Sequence, residues 1–227
     1  MYDHGFATQF LARLMPREKQ RAVVKPPFDK ALALILKAQG VDGGWRYAPA
    51  PQPGGDVTVT ACQLGALVAA RQAGADVPQE SIDKAVTFIQ RCMQPDGGYE
   101  YTPGTGSSGF ARSAAAAAML RLSGVKPPAL NRPYLEKFLP SPEGEPATTF
   151  QLYGLYYAAP FFALEPKEQR DGWHTAVTRT LQARQTKQGN WLEGSSKVLG
   201  TALAVLALDA RAPALAAEGK PKAQEAR

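Results

Sequence analysis

Apolar residues recur along this chain mostly at three- and four-residue intervals. Phe28, Leu32, Ile35, Leu36 and Gln39 share one helical stripe, and Ile82, Ala85, Val86, Ile89 and Met93 share another. These striped segments carry charge on their other side, at Lys30, Lys37, Asp83, Lys84, Arg91, Arg179 and Arg184. Segments of a second kind alternate with them. Val57–Ala73, Phe110–Ser123 and Lys197–Arg211 are small or apolar nearly all round, as in Ala114–Ala118 and Ala202–Leu208. A helix apolar on every side is buried, and slim side chains let neighbouring helix axes approach closely. The pattern therefore predicts an inner layer of slim helices inside an outer layer that faces water. Val23-Val24 and Val57-Thr58-Val59 are too short to count as strands.

Residues 5–15 predict a first helix with Phe6, Phe10, Leu11 and Leu14 on one side, followed by four hairpin-like units. Pro26-Pro27, Pro78 and Pro127-Pro128 precede successive outer helices, where a first turn has no use for the missing N–H. Gly74 and Gly124 close two inner helices. The third unit is degenerate. Tyr134, Leu135 and Phe138 start a short helix, Ser141-Pro142-Glu143-Gly144 stands at the turn, and an aromatic helix runs from Thr149 to Leu164, ended or kinked at Pro160. The fourth unit pairs Lys167–Gln185 with Lys197–Arg211. The expectation is an all-α array of about nine helices over residues 1–211, with 212–227 as a disordered tail rich in Ala, Lys, Glu and Pro.

A turn motif joins outer to inner helices. Gln39, Gly43, Gly44 and Trp45 are echoed by Gln94, Gly97, Gly98 and Tyr99, and more loosely by Gln185, Gly189 and Trp191. The glycines accept positive φ and let the chain reverse. The aromatic is expected to pack on the helix just finished, and the glutamine to bridge helix-end backbone groups. Asp42 and Asp96 suit backbone N–H groups of the same turns.

These turns resemble the QW repeats of the terpenoid cyclase/protein prenyltransferase superfamily. Met1–Gly5 and Gly55–Ala61 are similar to bacterial prenyltransferase/squalene-oxidase-repeat proteins. The resemblance covers about residues 1–211 and implies an α/α toroid, an inner ring of helices within an outer ring. A closed toroid of the family has roughly twelve helices, so the chain is expected to form a partial toroid, an open arc or an N-terminally incomplete fragment. An exposed apolar edge is expected along helix 5–15, and the abrupt helical start reads as a truncation.

With 227 residues, 44% of them hydrophobic, the chain can bury a sizeable core. Its net charge of +6 is scattered, with no basic stripe interleaved with aromatics, which argues against nucleic acid. No stretch has the ~18 unbroken apolar residues of a membrane span. Cys62 and Cys92 read as small buried hydrophobes.

The resemblance also says where chemistry is to be sought. Cyclases of the family protonate an alkene with an Asp-x-Asp-Asp cluster at the start of an inner helix. The matching stretch is Asp56-Val57-Thr58-Val59, where only Asp56 is acidic. A lone Asp before a helix is an N-cap before it is an acid catalyst, so Asp56 is a weak catalytic candidate. Family prenyltransferases hold zinc with Asp, Cys and His; this chain has His4 and His174 alone and no Asp-x-Cys, so neither metal nor cofactor is expected. Gly104–Gly109 looks inviting for anions but lacks the lysine of a phosphate loop. Paired carboxylates for glycoside hydrolysis are lacking. Tyr47, Tyr99, Tyr101, Tyr153, Tyr156 and Tyr157 are candidates to line a cavity or its rim, where ring faces stabilise cations, against ordinary core and loop packing. The function expected is a non-catalytic scaffold or binding module whose apolar inner cavity takes a small molecule or a protein partner. The alternative is an isoprenoid-processing enzyme, cyclase or prenyltransferase-like, with degenerate or missing catalytic residues.

Overall fold

The computed structural model describes residues 1–139 and 150–210. The expected tail at 212–227, the turn at Ser141–Gly144, Thr149 and Arg211 lie outside the described residues. Nine helices are described: α1 (Tyr2–Leu14), α2 (Glu18–Lys37), α3 (Val57–Gln72), α4 (Gln79–Arg91), α5 (Phe110–Leu122), α6 (Asn131–Glu136), α7 (Gln151–Ala163), α8 (Lys167–Arg184) and α9 (Lys197–Asp209). No strand occurs among the described residues, only isolated bridges between Met93 and Tyr99 and between Glu193 and Ser196.

The molecule is an α/α toroid. Helices α1, α3, α5, α7 and α9 pack side by side in that order as the inner layer, and α2, α4, α6 and α8 back them. The division follows side-chain size. Helix α5 buries Ala114 to Ala118 without a break, whereas α4 buries only Ile82, Ala85, Phe88 and Ile89. Gly154 of α7 shows how tightly the inner helices meet: a Cβ there would come within 2.3 Å of the Phe110 ring. Gly74 ends the α3 segment at φ +86°, and Ala75 N–H reaches back to Ala70 O at 3.0 Å, a Schellman closure.

One expectation is corrected. Helix α2 starts at Glu18, with Pro26 and Pro27 inside it and not ahead of it. Residues around the prolines, such as Ala22, Val23 and Lys25, are exposed, so carbonyls left without an N–H partner can turn to water. Helix α7 runs through Pro160 to Ala163, one residue short of the expected Leu164. Helix α1 buries Gly5, Thr8 and Ala12, while Phe10 is exposed. Its contact with α3 is too close for a large side chain, since a Cβ on Gly5 would lie 2.6 Å from Cys62 Sγ. Phe10 is the exposed apolar residue of the edge expected on α1, and a second bare apolar stripe runs along α9, where Val198, Leu199, Val205 and Leu206 are exposed.

Candidate functional site

The site rests on the turns that carry each chain reversal. In all three, a backbone N–H and C=O pair closes the loop: Gly40 N to Gly44 O (2.8 Å), Gln94 N to Gly98 O (2.9 Å) and Thr186 N to Asn190 O (2.9 Å). The first glycine has positive φ in each, at Gly43 (+91°), Gly97 (+87°) and Gly189 (+79°). The second glycine is needed for space, not for φ. A Cβ on Gly98 would meet Ser108 and Tyr134 at 2.6 Å, and the looser third turn carries Asn190 at that position.

This register also separates the glutamines. Gln39 and Gln185 donate to Gly43 O (3.0 Å) and Gly189 O (2.9 Å), but Gln94 aligns with Gly40, one residue later. The aromatics divide as well. Trp45 Nε1 donates to Ile35 O (2.8 Å) and Trp191 Nε1 to Leu181 O (2.6 Å), each on the helix just completed. Tyr99 reaches forward, its hydroxyl donating to Asn131 Oδ1 of α6 at 3.1 Å. The backbone N–H of each aromatic residue is received by a hydroxyl on the next inner helix: Thr60 (3.0 Å), Ser113 (2.8 Å) and Thr201 (3.2 Å). Those hydroxyls sit one turn past the start of an otherwise apolar helix, a signal readable in the sequence but not read there.

Between the first and second turns lies the densest polar cluster. Asp56 is fully buried and caps α3, its Oδ1 accepting from Thr58 N (2.7 Å), Val59 N (3.3 Å) and Thr58 Oγ1 (2.5 Å). Its Oδ2 accepts from Tyr47 OH at 2.7 Å, and Tyr47 OH lies 2.5 Å from Tyr101 OH. Tyr2 OH lies 2.6 Å from Thr58 Oγ1. From Tyr2 the aromatics continue inward. Its ring meets Tyr47 (6.2 Å) and Tyr153 (6.4 Å), Tyr153 meets Tyr157 (4.8 Å), and Phe6 meets Tyr153 (6.5 Å) and Tyr156 (5.9 Å). So α1 and α7 touch across the inner layer. Five of the six tyrosines singled out in the sequence come together here; Tyr99 stands apart in its turn. Tyr2, Phe6 and Thr58 complete the cluster, and neighbours distant in sequence gave no hint of them.

The electrostatics are those of neutral phenols around one acceptor. Burial first, then the Asp56 charge, pushes the Tyr2 phenol up. Loss of water around its inward hydroxyl, then its bonds to Tyr101 and Asp56, do the same for Tyr47, whose ring is half-exposed. Burial raises Tyr153 and Tyr157 well above the ordinary phenol range. Beside them burial lifts the Cys62 thiol to about 12. The cluster can present ring faces and O–H dipoles to a ligand. Both oxygens of its one carboxylate accept hydrogen bonds. No three His, Cys, Asp or Glu gather among the described residues as a metal site would need.

Two further acids act inside the fold. Glu100 takes the amides of Gly104 (2.7 Å) and Gly106, so the anion-like loop at Gly104–Gly109 already holds a carboxylate of its own chain. Glu193, from the last turn, accepts from Leu152 N (3.2 Å) and Tyr153 N (3.0 Å), capping α7 behind Phe150, which is left-handed at φ 59°. Nothing local in the sequence links Glu193 to a helix 40 residues upstream.

The fold is terpenoid-cyclase-like. A crystal structure of a protein from Actinoplanes superposes with a TM-score of 0.69 at 18% identity, over 92% of this chain and 65% of that one. A variant of a type II terpene cyclase from Scytonema, solved with its substrate geranylgeranyl dihydroxybenzoate, superposes with a TM-score of 0.64 at 17% identity, over 89% and 62%. The chain thus spans just under two thirds of the length of both. No protein-family profile matches it, and no curated protein does. Identities this low establish the fold and leave the chemistry to the site. Among the described residues no helix is long and apolar enough to cross a membrane.

Proposed function

We infer that this chain is a non-catalytic scaffold or binding module built on the cyclase-like toroid. Its ligand would be an apolar small molecule, or an apolar segment of a protein partner, held against the inner aromatic face of Tyr2, Phe6, Tyr47, Tyr153 and Tyr156. One observation carries the reading. Asp56, at the inner-helix start where a cyclase keeps its acid, is engaged at both oxygens by Thr58, Val59 and Tyr47. Thr58 and Val59 stand where further acids would be needed to keep one carboxyl protonated. A second reading, an isoprenoid-processing enzyme, is favoured by that same position of Asp56 beneath a phenol cluster. It requires Asp56 to act without the acids that flank it in cyclases, or an acid or metal from residues beyond those described.

The test is to incubate the full chain with squalene and with prenyl diphosphates and analyse the extracts by mass spectrometry, while titrating the same compounds against intrinsic fluorescence. The expected result is no product above a boiled control, and saturable binding that Tyr153→Ala weakens by about tenfold. Product formation that Asp56→Asn abolishes would establish the enzyme instead. Neither product nor binding would remove the small-molecule half of the reading.

A further inference from the structure

The second edge of the inner layer is unfinished. Helix α9 buries Gly200, Leu203, Ala204 and Ala207 against its neighbours and leaves Val198, Ala202, Val205 and Leu206 in water on its other side. Val198 is 84% exposed and Val205 50%, high for an inner helix whose sisters α3 and α5 are buried all round. The turn beside it is unfinished too. The first turn docks on α4, with Gln39 Nε2 donating to Ser81 O at 2.9 Å, and the second packs on Leu130 just before α6. Among the described residues the third docks on no further helix: Gln185 donates to Gly189 O, and space around Gly189 is open to 4.0 Å.

Charge says what fits there. Helices α1, α2, α4 and α8 each have an acid in the first turn and a base in the last, as the helix dipole favours. Helix α9 is reversed, with Lys197 at its first position and Asp209 at its last, both exposed and without an ion pair among the described residues. Each charge is misplaced for its own helix and correctly placed for an antiparallel copy. Asp209 lies on the apolar stripe, so an antiparallel α9 would bring it to the partner's first turn, with its outward N–H groups and Lys197. Ala202, near the midpoint, would let the axes approach.

We propose that the α9 face, with Leu192 beside it, is a self-association surface on which a second copy packs its own α9 antiparallel, related by a twofold axis. Such an interface is isologous, so one misplaced charge pair is corrected twice. One helix face and a flanking turn would make a small interface, so a weak, reversible association is expected.

Sedimentation velocity of the full chain over a concentration series tests it. The chain is expected to form a reversible dimer, and Val205→Glu to leave a monomer with an unchanged circular dichroism spectrum. Lys197→Glu and Asp209→Lys should each weaken dimerisation by about tenfold, and the double reversal should restore it to within about threefold. A chain that stays monomeric at every concentration overturns the proposal. So does a dimer indifferent to Val205→Glu, or a double reversal weaker than either single one.

Discussion

Replacing Trp45 by Phe probes the element on which the whole architecture depends. Trp45 is 1% exposed, and its indole N–H donates to Ile35 O at 2.8 Å. The ring therefore pins the finished α2 to the turn, while its backbone N–H fixes α3 through Thr60. Phenylalanine keeps the aromatic face and loses the donor. Ile35 O also accepts from Ala38 N at 3.2 Å, so it is not orphaned and the lost bond costs about 1 kcal/mol, the low end for a buried group. The smaller ring leaves a void on the order of 40 Å³, worth about 1 kcal/mol more. The sum of about 2 kcal/mol corresponds to a Tm lower by roughly 4–8 °C in a chain of this size. Urea unfolding measures it, with an unchanged m value showing that the native state remains compact. Val41→Ser, at a residue 94% exposed four positions earlier, serves as the control and should shift stability by under about 0.5 kcal/mol. If Trp45→Phe were as silent as the control, the clasp would not be what joins the layers.

Two further outcomes follow from buried titrating groups. The amide of Gly106 first, and then that of Gly104, hold the Glu100 carboxyl below its ordinary 4.5. Because its folded value is depressed, the stability it contributes is full above that ordinary value and is lost as the pH falls through the lower, folded one; Glu100→Gln should flatten the acid limb of stability against pH below about 4.5, and an unchanged limb would refute the role. Burial pushes both the Cys62 and Cys92 thiols up to about 12, so neither should react with an aromatic disulfide reagent at pH near 8 until the protein is unfolded, when both react. Rapid labelling of the native chain would show one of them to be accessible.

What the sequence determined by itself lies within a few residues of each position. Helical stripes, the all-apolar runs, the Gly43, Gly97 and Gly189 reversals and the Asp56 cap all follow from periodicity, steric freedom at φ and one-turn hydrogen bonds. From these alone came the alternation of outer and inner helices. Tertiary structure decided everything that joins distant segments. It carried α2 through two prolines because that stretch faces water, and chose Gly5 over Phe10 for the buried side of α1 because α3 lies too near for a ring. It set Tyr2 on Thr58, 56 residues away, and Glu193 on the start of α7. It left a second bare stripe on α9, while α1 sets Tyr2 and Phe6 against the aromatic face of α7 across the inner layer. Local chemistry specifies how each element turns and ends. Which side chain satisfies which depends on how closely curved layers approach, and that distance is a property of the whole packing, not of any short stretch of chain.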